Sequence, residues 1–358
     1  MPSPTQFLFV ICQVGAEAVL KAELAREHPQ LRLSFSRPGF VTFKLPDEAN
    51  PEDGFELRSV FARAYSSSLG KLDGPDANVL AKRVWELVGE RPVDHVHCWQ
   101  RDTAVPGDGG FEPGPTPLAE EVGSLLVGAS SGQSPLNRSA RSGQAVLDCV
   151  LVEPDQWWVG WHRAAAPATR WPGGVPRLKR PAEVLNRAYF KTAEALRWSQ
   201  LPVAAGDLCA EIGSAPGGSA QFLLERGMYV VGIDPAEMHE WVLAHPCFTQ
   251  IRKRAAEVRR RELAEVRWLL ADSNVAPKHT LDSVEALVTH DDLHVRGLLL
   301  TLKLPDWKLA EQLPDYLERV RSWGFRYVRA RQLAFNRQEI CVAAMRNRAM
   351  RRFKPRRG

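Results

Sequence analysis

No stretch of the chain holds the roughly 18–20 consecutive apolar residues that a membrane-spanning helix needs, so no membrane partner is expected. The first twelve residues lack a basic start and a small-residue cleavage site, which argues against a secretory leader. Cysteine is scarce. The six cysteines (Cys12, Cys98, Cys149, Cys209, Cys247, Cys341) lie far apart with no C-x-x-C pair, which argues against a disulfide frame or a thiolate zinc site. They read as small buried hydrophobes in a reducing compartment, and the expected location is the cytoplasm. Metal-ligand clusters are also lacking. His290, Asp291, Asp292 and His294 are the one grouping that hints at a metal, and their spacing in a polar segment suits a solvated turn, so no metal is expected. Acid is missing from the C-terminus: from Arg346 onward there are seven cations and no carboxylate, against a net charge of only +5 for the whole chain. Such a tail, residues 346–358, reads as solvated, with phosphate contact as the functional alternative. The sequence shows no internal repeat and says nothing about oligomeric state.

A chain of 358 residues is long for one core, so two or three domains are expected. Residues 7–12 read as a strand, 16–24 as a helix with Val19, Leu20 and Leu24 on one face, and 31–35 and 40–45 as strands around the turn Arg37-Pro38-Gly39. This β-α-β-β order predicts a small α+β unit with a ferredoxin-like half. A helix over 78–90 and a strand over 94–99 follow, then a loop at 106–117 and a Ser/Gly-rich loop at 128–142. Residues 145–152 and 156–161 look like a closing hairpin. Residues 164–175 (AAAPATRWPGGV) read as a linker. Beyond it strands at 207–212, 229–233, 266–270, 297–304 and 339–344 alternate with helices at 217–226, 281–289 and 309–323. That alternation predicts an α/β, doubly wound, mostly parallel sheet with its ligand at the carboxyl ends of the strands.

The segment from Asp207 to Gly218 joins a strand to a helix through Gly213-Ser214-Ala215-Pro216-Gly217-Gly218. Glycines here let backbone approach a ligand, and the helix start offers unpaired N–H groups. The spacing is not G-x-G-x-x-G, because Ala215 holds the middle glycine position and Pro216 stiffens the turn. This weakens a dinucleotide reading and favours a methionine-type cofactor. Nineteen residues after Ala215 the next strand ends in Asp234, a carboxylate placed to accept both hydroxyls of a ribose. Three further residues stand out by position. Lys191 lies on a helix before the glycine strand, Asp272 follows the strand at 266–270, and Lys303 ends an apolar strand. An ammonium there must be paired or have a lowered pKa.

Lys191, Asp272, Lys303 and Glu339 fall in the order and contexts of the K-D-K-E tetrad, and the chain here resembles the FtsJ-like ribose 2′-O-methyltransferases. It resembles more closely the RlmM type of large-subunit ribosomal RNA methyltransferase. The similar stretches are residues 174–179, 186–196, 211–218, 271–277, 302–305 and 330–342. The resemblance implies a Rossmann-like methyltransferase domain over 181–345, preceded by a ferredoxin-like segment (1–60), a THUMP-like RNA-binding domain (61–165) and a linker (166–180). It implies S-adenosylmethionine as cofactor, held by Gly213, Ala215, Pro216, Gly217, Gly218, Asp234 and Asp272. The implied partner is ribosomal RNA, with methyl transfer to a cytidine ribose. Lys303, neutral beside a second cation, would be the general base. Lys191 and Glu339 would position base and ribose, and Asp272 would hold the base and touch the cofactor.

The chain departs from the family pattern at Glu211, usually Asp; at Ser219, commonly Trp; at Ala188, usually a small hydroxyl residue; and at the basic run Arg252-Lys253-Arg254, where an acid is expected. Arg177, Lys179, Arg180 and Arg187 are candidates for RNA phosphate contact at the mouth of the site, against a solvated helix face. Trp157, Trp158, Trp161 and Trp171 could stack on bases, but Trp157 and Trp161 share one strand face, which favours core packing between domains. Two rival functions stay open. An NAD-dependent oxidoreductase shares the glycine turn and the acid, and a non-catalytic RNA-binding or ribosome assembly protein could keep a methyltransferase fold.

Overall fold

The computed structural model describes residues 7–46, 56–130, 132 and 134–347. It divides into two compact units, Met1–Arg180 with Arg331–Arg337, and Pro181–Ala330 with Gln338–Gly358. Most of the predicted basic tail, 348–358, lies outside the described residues. Arg346, assigned to that tail, is instead part of the fold: its guanidinium donates to the carbonyls of Val288, Val295 and Trp323.

In the first unit, β1 (Phe7–Ile11), β2 (Arg32–Arg37), β3 (Phe40–Lys44), β4 (Ala64–Asp73), β5 (His95–Gln100), β6 (Ala145–Glu153) and β7 (Gln156–Arg163) form one sheet. Its order is β2-β3-β1-β4-β7-β6-β5. The strands of the first 60 residues therefore continue into those that follow, through the antiparallel pairing of β1 with β4. β4 escapes a sequence reading because Ser66, Ser67, Ser68 and Gly70 are poor strand formers, yet Ser66 and Ser67 are buried between β1 and β7.

α1 (Glu17–Glu27) joins β1 to β2, and one sheet face is covered by α2 (Ala77–Val88) and α3 (Pro117–Ala129), which bury Leu80, Val84, Val122 and Leu126 against Val96, Leu147 and Trp157. Asp76 caps α2 and Thr116 caps α3, with Pro117 at its first position. Trp157 thus packs in the core of its own unit, not between domains. Trp161 is buried with its N–H on the Pro92 carbonyl, and Trp158 meets Phe35 and Phe40 on the other face. The expected linker also packs here. Trp171 is buried, and the Thr169 carbonyl accepts from His162 Nε2 while His162 Nδ1 meets Asp148 at 2.6 Å.

The second unit holds α4 (Ala188–Ser199), β8 (Leu208–Ile212), α5 (Gly218–Leu224), β9 (Tyr229–Ile233), α6 (Glu240–Leu243), β10 (Phe248–Ile251), β11 (Trp268–Ala271), α7 (Pro277–Val288), β12 (Gly297–Lys303), α8 (Leu313–Ser322), β13 (Tyr327–Arg331) and β14 (Glu339–Met345). The sheet order is β10-β9-β8-β11-β12-β14-β13. β8 to β12 pair in parallel, and β14 runs antiparallel to β12. The chain leaves β8 towards β9 on one side and later returns to β11 on the other. This reversal opens a crevice beyond the carboxyl ends of β8 and β11, where open α/β sheets bind ligands. The expected doubly wound α/β sheet is present.

Candidate active site

The glycine turn leaves β8 at this reversal. Gly213 has φ +79°, and a side chain there would place its Cβ 2.7 Å from the Asp272 carbonyl oxygen. Only glycine lets the loop after β8 lie so close to the loop after β11. A Cβ on Gly218 would collide with Asn186, whose side chain accepts from the Ala188 N–H at the start of α4. Asp234 follows β9 and turns back to the loop, accepting from Ala215 N–H at 3.1 Å and Ala236 N–H at 2.8 Å. The Ala215–Pro216 peptide is cis.

Four charged side chains meet at the neighbouring strand ends. Lys191 comes from α4 and Asp272 from the residue after β11. Lys303 and Glu339 are register partners, the last residue of β12 and the first of β14, so the antiparallel pairing itself sets them side by side. Lys191 Nζ lies 2.6 Å from Asp272 Oδ2 and 3.1 Å from Glu339 Oε1. Lys303 Nζ lies 3.0 Å from Asp272 Oδ1 and also contacts Glu339 Oε2. Each ammonium therefore touches both carboxylates in a ring of alternating charge and zero net charge. Of the two conditions for a lysine at this strand end, Lys303 meets pairing.

The ring is mostly buried but unequal. Glu339 keeps 4% of its side-chain exposure and Lys303 keeps 23%, the largest share of the four. Burial works against the charge on Lys191, but Asp272 and Glu339 outweigh it and hold the ammonium above the ordinary lysine value. Burial likewise opposes ionisation of Asp272, and Lys191 with Lys303 overcomes it, holding the carboxyl below its usual range. Lys191 is thus a fixed cation, and Lys303 is the member that solvent or a substrate reaches most easily.

The departures at Glu211 and Ser219 belong together. Glu211 is buried on β8 and bonds Ser214 Oγ at 3.0 Å and Ser219, while Thr192 Oγ1 donates to Ser219 Oγ at 2.9 Å. These hydroxyls tie α4, α5 and the glycine turn beneath the site. Sequence reasoning had no signal for this network, because none of its members is charged except Glu211. Burial pushes the Glu211 carboxyl up to about 8, against the pull of both serines. A raised carboxyl binds its proton more tightly folded than unfolded. Its stabilising contribution is therefore full below about pH 4.5 and is lost as pH rises through 8. Glu211→Gln, neutral throughout, is expected to lose less stability between pH 5 and 9 than the parent, with a gap in melting temperature on the order of 5 °C. Parallel losses in the two proteins would show that Glu211 ionises freely.

The remaining expected residues are dispersed. Arg177, Lys179 and Arg180 end the first unit, while Arg187 stands in the second at the start of α4. Ala188 opens α4. Arg252 donates to the Pro235 carbonyl just after Asp234, and the Arg254 N–H is capped by Glu257. His290, Asp291, Asp292 and His294 sit in a turn where the Asp292 N–H meets His290 Nδ1. Among the described residues no helix is long and apolar enough to cross a membrane.

A family model for FtsJ-like methyltransferases matches residues 184–313. Across the chain, the ribosomal RNA large subunit methyltransferase M of Xanthomonas campestris pv. campestris (strain B100) is 30% identical over 360 residues, spanning 95% of this chain and 99% of that protein. The protein of the same name from Laribacter hongkongensis is 28% identical over 339 residues, with 89% of each chain covered. A third, from Halorhodospira halophila, is 32% identical over 186 residues, covering 50% of this chain and 52% of its own.

Proposed function

We propose that this chain, which belongs to the ribosomal RNA large subunit methyltransferase M family, methylates the 2′-hydroxyl of a cytidine ribose in large-subunit ribosomal RNA, using S-adenosylmethionine and Lys303 as general base. The observation behind the reading is the alternating ring of Lys191, Asp272, Lys303 and Glu339 beside the glycine turn.

The donor set fits the cofactor. Two carboxylates, Asp234 and Asp272, flank a backbone loop that glycine keeps open. Asp234 spends Oδ2 on the Ala215 N–H of the loop and Oδ1 on the Ala236 N–H, and each oxygen keeps a lone pair for a ribose diol. When bound, S-adenosylmethionine supplies a methyl group on a cationic sulfur. The proton that the ribose hydroxyl gives up on methylation would pass to the Lys303 amine. The ammonium so formed contacts Asp272 and Glu339, whose carboxylates offset the charge it gains. Lys191, held charged, fixes both carboxylates in place, and the ring is neutral once Lys303 carries the proton. Holding oxygen and methyl in near-attack geometry contributes further.

We assign the first unit to RNA binding as a THUMP-type domain, with Arg177, Lys179, Arg180 and Arg187 on phosphates, and place the reaction in the cytoplasm. The dinucleotide reading shares the glycine turn but leaves the four-residue ring without a task. The test incubates the protein with labelled S-adenosylmethionine and large-subunit ribosomal RNA from cells lacking its gene, then separates the digested nucleosides. Label is expected in 2′-O-methylcytidine. Label on a base would overturn the ribose assignment, and RNA binding without label would leave the assembly-protein reading standing. In calorimetry S-adenosylmethionine is expected to bind and NAD is not.

A further inference from the structure

Two segments of the first unit, residues 134–144 and 164–170, meet where β6 begins and β7 ends. The Ala140 N–H donates to the Arg170 carbonyl at 2.9 Å, the Gly143 N–H to Ala164 at 2.7 Å and the Ala164 N–H to Gln144 at 2.9 Å. Ala140 and Ala164 are buried with Val146. Side chains from β5 and from the loop itself then fix its course. His97 Nε2 lies 2.8 Å from the Arg138 carbonyl, and the Asn137 amide bonds the Cys98 backbone in both directions. Asn137 takes φ +48°, in the left-handed region that asparagine tolerates better than most residues. Gln144 Oε1 accepts from the Arg141 N–H at 2.7 Å and lies 3.0 Å from His95 Nε2.

This rigid joint is rich in arginine. Arg138, Arg141 and Arg163 are exposed and Arg170 is half-buried. None of the four pairs with a carboxylate among the described residues. Arg163 donates to the Gly143 carbonyl and lies over the Trp161 ring, and Arg170 donates to the Ala165 carbonyl. The guanidinium groups of Arg138 and Arg141 bond no described residue. Three acids stand between Arg138 and Arg170 in the sequence, and each is placed elsewhere. Asp148 is buried on His162, while Glu153 and Asp155 lie at the far end of the β6–β7 hairpin. β6 has 9 residues, so at 3.3 Å per residue that end is about 26 Å away, beyond the range of screened charge. Asp94, before β5, spends its Oδ2 on the Ala145 N–H. Cations brought together in this way repel one another, and a polyanion relieves the repulsion.

We infer that this joint grips the phosphate backbone of RNA, with Arg138 and Arg141 from the loop and Arg163 and Arg170 from the facing segment on its phosphates. A guanidinium presents paired N–H donors that match phosphate oxygens. Bonds to phosphate position a nucleic acid without reading its bases, so this surface holds the substrate and leaves the choice of nucleotide to other contacts. The loop is already held in place by His97, Asn137 and Gln144, so little ordering entropy is lost on binding. This inference rests on the reading that the substrate is RNA, and its four arginines are distinct from the cations at 177–187.

The test measures binding of the full chain to large-subunit ribosomal RNA from cells lacking its gene, between about 50 and 200 mM salt. Arg138→Ala/Arg141→Ala removes two exposed side chains that bond nothing else described, so the fold is expected to be unchanged. This variant is expected to bind RNA about 10-fold or more weakly near 100 mM salt. Its dependence of log K on log salt is expected to flatten by about 1.4–1.8, the loss of two phosphate contacts. Arg138→Lys/Arg141→Lys keeps both charges and is expected to keep the slope. Lys82→Ala/Arg83→Ala on α2 removes the same charge from exposed positions of the same unit and is expected to leave the slope as it is. S-adenosylmethionine affinity and the rate at saturating RNA are expected to stay at parental values throughout. A parental slope in the Arg138→Ala/Arg141→Ala protein, or an equal flattening in the α2 variant, overturns the inference. The two readings fail separately. A parental slope beside normal methyl transfer sinks only this surface, and a flattened slope in a chain whose parent transfers no methyl group sinks only the reaction.

Discussion

Lys303→Ala is expected to lower methyl transfer to ribosomal RNA by roughly 10²–10⁴-fold, the range that a positioned general base contributes, while affinity for S-adenosylmethionine changes less than about 3-fold. The split follows from the geometry. Lys303 ends β12 and contacts Asp272 and Glu339, whereas the loop expected to hold the cofactor leaves β8 and closes on Asp234. Folding is not expected to suffer much, because Lys303 is the most exposed member of the ring and its loss leaves Lys191 bridging both carboxylates. Lys303→Arg keeps the cation and separates the two roles a lysine can have. A guanidinium does not give up its proton at physiological pH, so an electrostatic role would survive the change and a base would not. The arginine variant is therefore expected to be as inactive as the alanine one. Single-turnover rates measured with saturating cofactor check this, and an alanine variant within tenfold of the parent would remove Lys303 from the chemistry. Lys191→Arg, which keeps a fixed charge where a fixed charge is needed, is expected to retain more activity than Lys303→Arg.

How much of this arrangement was legible in the sequence depends on the range of the interaction. The strand, glycine turn and helix around Gly213 are local, and the apolar run at 208–212 followed at once by small residues reveals them. The order of Lys191, Asp272, Lys303 and Glu339 was legible through a resemblance, but the alternation of the ring was not. It depends on β14 entering antiparallel to β12 in the one register that opposes Glu339 to Lys303, and a one-residue slip would send both to opposite faces. The same limit hid β4, whose serines become strand residues only because β1 and β7 bury them from both sides. It also misled the reading of 164–175. Composition there resembles a linker, while Trp171 and the Thr169 carbonyl tie it to the first unit through contacts no local pattern announces. Glu211 and Ser219 were legible as departures and illegible as partners.

The first unit carries its own costly device, and its removal is the second large effect expected. Arg63 and Asp102 are 3% and 5% exposed and form a two-pronged pair, with the remaining Arg63 Nε–H on the Gly173 carbonyl. Asp102→Asn keeps the shape and removes the charge, leaving a guanidinium buried without a counter-ion. Breaking such a pair from one side costs about 3–5 kcal/mol, which in a unit of this size is a fall of about 10 °C in melting temperature. The pair need not stabilise the fold relative to apolar residues, since desolvating two charges offsets most of their attraction. The double variant Arg63→Met/Asp102→Leu is therefore expected to lie within about 2 kcal/mol of the parent, well above either single variant. Denaturant unfolding of all four proteins gives the coupling directly. Additive losses in the double variant would mean that Arg63 is anchored by the Gly173 carbonyl and not by its counter-ion.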